Sequence, residues 1–129
     1  MKRGISIGGI GAMLKMAKIC KENDVFVVSD EIHFDLMQKG FEHTMFLSLG
    51  EEYTKNAMSI IAPSKTFNLA GLQTSMVLIP DEENRNAFYK EQCTVTSHPV
   101  CNILGYEACM IAYKNAEPWL DEVLEVIAE

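Results

Sequence analysis

The sequence predicts an α/β fold, a mainly parallel sheet with flanking helices, and three observations lead there. "VFVVSD" (25–30) and "AMSIIAP" (57–63) are unbroken runs rich in β-formers, the pattern of strands buried on both faces. "AMLKMAKICKEN" (12–23) places Met13, Met16, Ala17 and Cys20 at helical spacing, with lysines on the other face. Beyond residue 80 only helical patterns follow, so strands and helices form separate layers around one core.

Taken in order, the first helix spans 12–23 and ends at Asn23-Asp24. The strand 25–30 follows, then a polar loop over 35–56 with a helical turn near "LGEEYTK". Pro63 closes the second strand, and Pro80 closes a third, "QTSMVLIP" (73–80). The interval between these two strands is too short for a helical crossover, so that connection is irregular. A helix over 81–92 opens with Asp81, Glu82 and Glu83, which the helix dipole favours. Residues 99–114 read as a mostly buried helix. Pro118 suits the first turn of a last helix whose apolar face is Trp119, Leu120, Val123, Leu124 and Ile127. No repeat, low-complexity segment or linker interrupts the chain.

Composition narrows the function. The chain has 129 residues, enough for one domain with a core, and is 48% hydrophobic and 22% charged. Eleven basic against 18 acidic residues give a net charge of -7, which argues against a nucleic-acid surface. No apolar run reaches the roughly 18 residues of a membrane span. The N-terminal "MKRGISIGGIGAMLKMAK" has a basic and apolar start, but Lys15 and Lys18 break its apolar core. It reads as mature sequence, with a cytoplasmic location expected. Cys20, Cys93, Cys101 and Cys109 form no C-x-x-C pair, and Cys101 and Cys109 are expected as reduced core residues. His33, His43 and His98 are too scattered to suggest a metal set by spacing.

Ligands of open α/β sheets bind beyond the carboxyl ends of strands. Here the first strand ends in "SDEIH" and the second in "APSKTFN". If the two are parallel neighbours, Asp30 and Lys65 lie at one edge. Singly, these residues are ordinary: an Asp after a strand is commonly a turn former, and a loop Lys is commonly surface. Their order is more specific: Asp30, then His33, then Ser64-Lys65-Thr66-Phe67-Asn68.

That order resembles the fold-type I pyridoxal-phosphate enzymes, the aminotransferase class I/II superfamily. "VVSDEIHFDL" and "APSKTFNLAGLQTS" are similar to its cystathionine β-lyase branch of MalY- and PatB-like C–S lyases. "HPVCNILGYEACMIAYKNAEPWLDEVL" resembles the helices that follow the lysine in that family. The resemblance runs from about residue 12 to the end and implies part of a cofactor-binding large domain, without the N-terminal part and the C-terminal small domain. It implies pyridoxal 5′-phosphate as cofactor and a small amino-acid substrate (cystathionine, cysteine or a cysteine conjugate) that expels a β-thiolate and leaves pyruvate and ammonia. A homodimer is expected for the full-length enzyme. Lys65 is implied as the residue that joins the cofactor aldehyde and then serves as general base. Asp30 is implied as partner of the pyridine nitrogen, His33 of the phenolic oxygen, and Ser64 as a polar contact to the cofactor or its phosphate.

The pattern is not complete. Many relatives carry a Ser three residues before the lysine and an Arg eight after it, both for the phosphate, where this chain has Ala62 and Gln73. Phosphate anchoring is therefore expected from elsewhere. Three alternatives stand beside the lyase: an aminotransferase of the same fold, a non-catalytic truncated or split gene product, and a dinucleotide-binding unit opening at "ISIGGIGAML". The last is weakened because Leu14 occupies the third glycine position.

Overall fold

The structure, a computed structural model, describes residues 9–96 and 102–128. Helix α1 (Gly9–Glu22) buries Ala17, and Met13 and Met16 pack with it against Phe46 and Ala57. Its end is closed by backbone bonds: Val25 N–H donates to Cys20 O, and Asp24 N–H to Lys21 O. Asp24 takes a left-handed conformation (φ 51°), which a short polar side chain tolerates. The chain then enters strand β1 (Val27–Asp30).

Strand β1 pairs in parallel with β2 (Ala57–Ile61), in a register running from Val27↔Ala57 to Asp30↔Ile60. A parallel pair needs a long crossover. Residues 31–56 supply it, with a 3₁₀ turn at Phe46–Ser48 and a one-turn helix α2 (Glu51–Thr54). After β2 come the short helix α3 (Pro63–Thr66) and a second 3₁₀ turn at Ala70–Leu72. Strand β3 (Met76–Leu78) then lies antiparallel to β2.

The sheet order is therefore β1-β2-β3, with one parallel and one antiparallel pair among the described residues. The α/β class is as expected, and within the described residues the third strand joins β2 in the antiparallel sense. The left-handed residues Asn68 and Gln73 (φ 54° and 49°) turn the chain back on itself, and an antiparallel return needs no crossover helix.

Burial departs from expectation in two places. Strand β1 alternates between half-buried and exposed instead of being covered on both faces, and Val28 is 53% exposed. Its outer edge pairs with no other strand among the described residues. Among the described strands, β2 alone buries residues completely, at Ala57 and Ser59.

The second departure is in the helices. Helix α4 (Glu82–Thr96) runs beyond residue 92 and buries none of its residues. Its start is capped by the Asp81 side chain, which accepts the Asn84 N–H at 2.9 Å. Helix α5 (Ile103–Asn115) is capped likewise by Asn102, and buries only Gly105, Cys109 and Ala112. Ile103 is 79% exposed, so the expectation of a mostly buried helix is corrected to burial along one stripe. Helix α6 (Glu117–Ala128) follows with Pro118 in its first turn, as predicted. Cys20, Cys93 and Cys109 form no disulfide, while Cys101 and His98 lie outside the described residues, as does the short segment 5–7 of the dinucleotide alternative. No described helix is long and apolar enough to cross a membrane.

One buried charge joins these pieces. Glu31 follows β1 directly and is 6% exposed. Its N–H continues the ladder to Ile60 O at 2.9 Å. Its carboxylate accepts the Ser59 hydroxyl at 2.6 Å and the Phe46 N–H at 3.2 Å, and the other oxygen meets His43 Nε2. Burial pushes the Glu31 carboxyl up, but the hydrogen bonds from Ser59, His43, the Phe46 N–H and Ser29 together outweigh it and hold it below its ordinary value.

Two outcomes are expected. An added Cβ at Gly105 would lie 2.2 Å from Thr74 Oγ1 and 2.9 Å from Leu72 O, so Gly105→Ala should cost about 1–3 kcal/mol, read as a lower urea midpoint. Because the Glu31 carboxyl is depressed in the folded state, its contribution is complete above the ordinary value of 4.5 and is lost as pH falls through its lower folded value. Glu31→Gln should then cost about 1–3 kcal/mol at pH 7. The urea midpoints of variant and parent should converge in acid; a constant gap at every pH would contradict the assignment.

Candidate active site

Parallel pairing brings the carboxyl ends of β1 and β2 to one edge of the sheet. Asp30 is the last residue of β1, opposite Ile60, and is exposed. Its Oδ1 accepts the Ile32 N–H at 3.3 Å, which starts a turn continued by Phe34 N–H to Glu31 O and Leu36 N–H to His33 O. His33 is exposed on this turn. Among the described residues no cation pairs with Asp30, so its carboxylate keeps free lone pairs.

Strand β2 ends at Ile61, and Ala62 is still extended (φ -142°, ψ 104°) when Pro63 opens α3. A proline suits this first position because its φ is already helical and its missing N–H is not needed. Lys65 N–H donates to Ala62 O and Phe67 N–H to Pro63 O, closing the turn. Pro63, Ser64 and Thr66 are buried, and Lys65 is the one exposed residue of α3. Thus a single turn turns the lysine outward and its neighbours inward.

The inward neighbours are anchored. Thr66 donates its hydroxyl to Asp35 Oδ2 at 2.7 Å, and the Tyr113 hydroxyl donates to the same oxygen at 3.0 Å. The Phe67 ring meets Tyr113 edge-on at 5.1 Å and lies 6.3 Å from Trp119. Burial and the adjacent Asp35 charge push the Tyr113 phenol up to about 12, so it remains a donor across the neutral range. Sequence reasoning missed Asp35, Thr66 and Tyr113, as it missed the Glu31–His43–Ser59 set. The signal available was a hydroxyl in a turn flanked by apolar residues, which needs an acceptor once buried.

Two concavities flank the end of β1. One of about 630 Å³ is lined by Met13, Met16, Asp30, Phe41 and His43, among others. One of about 390 Å³ includes Asp30, Ile32, His33 and His43. Asp30 and His33 therefore share a wall, whereas Lys65 and Ser64 line neither concavity and share only the sheet edge with them. Ser64 is buried and the least accessible of the four. At the two positions where a phosphate donor was missing, Ala62 is buried and Gln73 is an exposed left-handed residue.

The arrangement is an accessible primary amine and an uncompensated carboxylate at the ends of adjacent parallel strands. The profile of the family "Aminotransferase class I and II" matches residues 11–121. The chain is 42% identical over 115 residues to cystathionine beta-lyase PatB of Bacillus subtilis (strain 168), a match that covers 89% of this chain and 30% of that protein. Its structure resembles that of cystalysin from Treponema denticola, which contains a pyridoxal 5′-phosphate cofactor, with a TM-score of 0.87 and 39% identity over 92% of this chain and 30% of that one. It also resembles a PLP-bound putative aminotransferase from Clostridium difficile 630, with a TM-score of 0.85 and 33% identity over 96% of this chain and 33% of that one. The chain spans about a third of the length of these proteins, and over that span it belongs to the aminotransferase class I and II family.

Proposed function

We propose that this chain is the lysine-bearing part of the large domain of a pyridoxal 5′-phosphate-dependent C–S β-lyase. Cystathionine or a cysteine conjugate would be its small amino-acid substrate, and pyruvate, ammonia and a thiol its products. One observation carries the reading: the parallel β1–β2 pair sets Asp30 and Lys65 at a common edge, in a chain 42% identical to PatB. By residue type the four side chains match the cofactor's polar groups, and the sheet edge is what Lys65 and Ser64 share with Asp30 and His33. Lys65 would hold the cofactor's aldehyde carbon, Asp30 its ring nitrogen and His33 its phenolic oxygen. Ser64, a buried hydroxyl beside the lysine, would be a polar contact to the cofactor or its phosphate.

When bound, the cofactor supplies an electron sink for negative charge at the substrate α-carbon. Once the substrate amine has displaced it from the aldehyde carbon, the unprotonated Lys65 amine would take the proton from the α-carbon and hold it on Nζ. The Asp30 carboxylate would hold a proton on the ring nitrogen. Loss of the β-thiolate, protonated by the proton held on Lys65, would complete the elimination, and water would then release pyruvate and ammonia. For the full-length protein a cytoplasmic homodimer is the assembly we favour; the exposed Val28, Ile103 and Leu104 are surface that the rest of that chain or a second subunit would cover. A second reading, an aminotransferase, is favoured by the likeness to the Clostridium difficile protein and uses Lys65 and Asp30 in the same roles.

Two measurements test this. A PatB chimera carrying residues 11–121 in place of its own matched segment should release pyruvate and thiol from cystathionine, and Lys65→Ala should lower that rate by about 10³-fold or more. Unchanged release in the variant would sink the assignment of Lys65, and amino transfer without pyruvate would favour the second reading. This chain alone should bind pyridoxal phosphate weakly, because Ala62 and Gln73 offer the phosphate little. The visible absorbance it develops should vanish in Lys65→Ala; tight, lysine-dependent binding would show that the site needs no further phosphate donor.

A further inference from the structure

The two halves of the candidate site come from distant parts of the chain, the turn after β1 and the turn after β2. Backbone pairing between them ends where Glu31 N–H meets Ile60 O. Beyond that point their relative position depends on side chains. Asp35 lies two residues after His33, and Thr66 lies one residue after Lys65. A single oxygen, Asp35 Oδ2, accepts both the Thr66 and the Tyr113 hydroxyl, at 2.7 and 3.0 Å. Tyr113 belongs to α5, and its ring also supports Phe67 edge-on. So the two residues that follow Lys65 are both held on one node, and that node is rooted in the loop that carries His33. A charged acceptor shared by two hydroxyls makes stronger and more directional bonds than a neutral one.

We propose that Asp35 is a positioning residue for Lys65: with Thr66 and Tyr113 it locks α3 to the His33 loop and so sets how the lysine amine meets a carbonyl ligand at this edge. The identity of that ligand as pyridoxal phosphate rests on the function proposed above, whereas the lock is a property of this chain's own side chains.

Two readouts on the full chain separate positioning from mere support of the fold. The first needs no ligand. Asp35→Asn keeps the shape but removes the charge, and should raise amide hydrogen exchange in the peptide over 62–68 by about tenfold, leaving 57–61 unchanged. The second adds pyridoxal phosphate with borohydride and measures by peptide mass spectrometry how far Lys65 is modified in preference to Lys15, Lys39 and Lys90. That preference should fall by about tenfold in Asp35→Asn and in Thr66→Val, and persist in Thr66→Ser, which restores the hydroxyl. Tyr113→Phe removes one of the two bonds and should give an intermediate loss even if Asp35→Asn folds poorly. Unchanged exchange at 62–68, or faster exchange with the Lys65 preference intact, would overturn the proposal. Absence of any Lys65 preference in the parent chain would instead remove the ligand reading, and the positioning role with it.

Discussion

Glu31 places a negative charge where little water reaches it, and the arrangement of the sheet edge depends on how that charge is held. An unpartnered buried carboxylate is costly enough to neutralise itself. Here donors from β2, from the 3₁₀ turn and from the 37–45 loop converge on it. They hold β1 to the centre of β2 and fix the start of the crossover that makes the pair parallel. The consequence for the site is direct. Successive residues of an extended chain point to opposite sides, so burying Glu31 turns Asp30 outward. A slip of one residue would bury the carboxylate proposed for chemistry and expose the structural one.

The lysine turn obeys the same logic on a smaller scale. Pro63 starts a helix too short to be stable alone, and its stability comes from what it buries. Thr66 and Phe67 face Asp35, Tyr113 and Trp119, and Lys65 is what remains outside. An amine on a floppy loop would meet a ligand in many orientations, whereas one flanked by two anchored residues meets it in few. Each half of the edge is thus a reactive side chain turned outward by a buried neighbour: Asp30 by Glu31, and Lys65 by Thr66.

Much apolar surface stays uncovered, on β1 at Val28 and on α5 at Ile103 and Leu104. This accords with a chain that spans about a third of its relatives' length. Burial on both faces, which the unbroken β-former run of β1 leads one to expect, depends on layers that these residues do not themselves supply. The contrast with β2 is informative. Ala57 and Ser59 are fully buried because α1, β1 and β3 are all within the chain.

Local sequence determined the elements and the order of the chemical residues. Helical spacing at Met13, Met16 and Ala17, the β-former runs before Asp30 and Pro63, and the helix starts marked by Asp81 and Pro118 act within a turn or a strand, so they are legible without a fold. The motif pair that led to Lys65, Asp30, His33 and Ser64 is legible for the same reason. Tertiary structure alone decided the rest. Ser59 reaches Glu31 across 28 residues, Thr66 reaches Asp35 across 31, and Tyr113 reaches Asp35 across 78. Which strands pair, and in which direction, selects those partners. Periodicity reports which side of an element is apolar, but not what lies against it, and so the antiparallel β3, the exposed face of α5 and the anchors of the lysine turn became visible only in the folded chain.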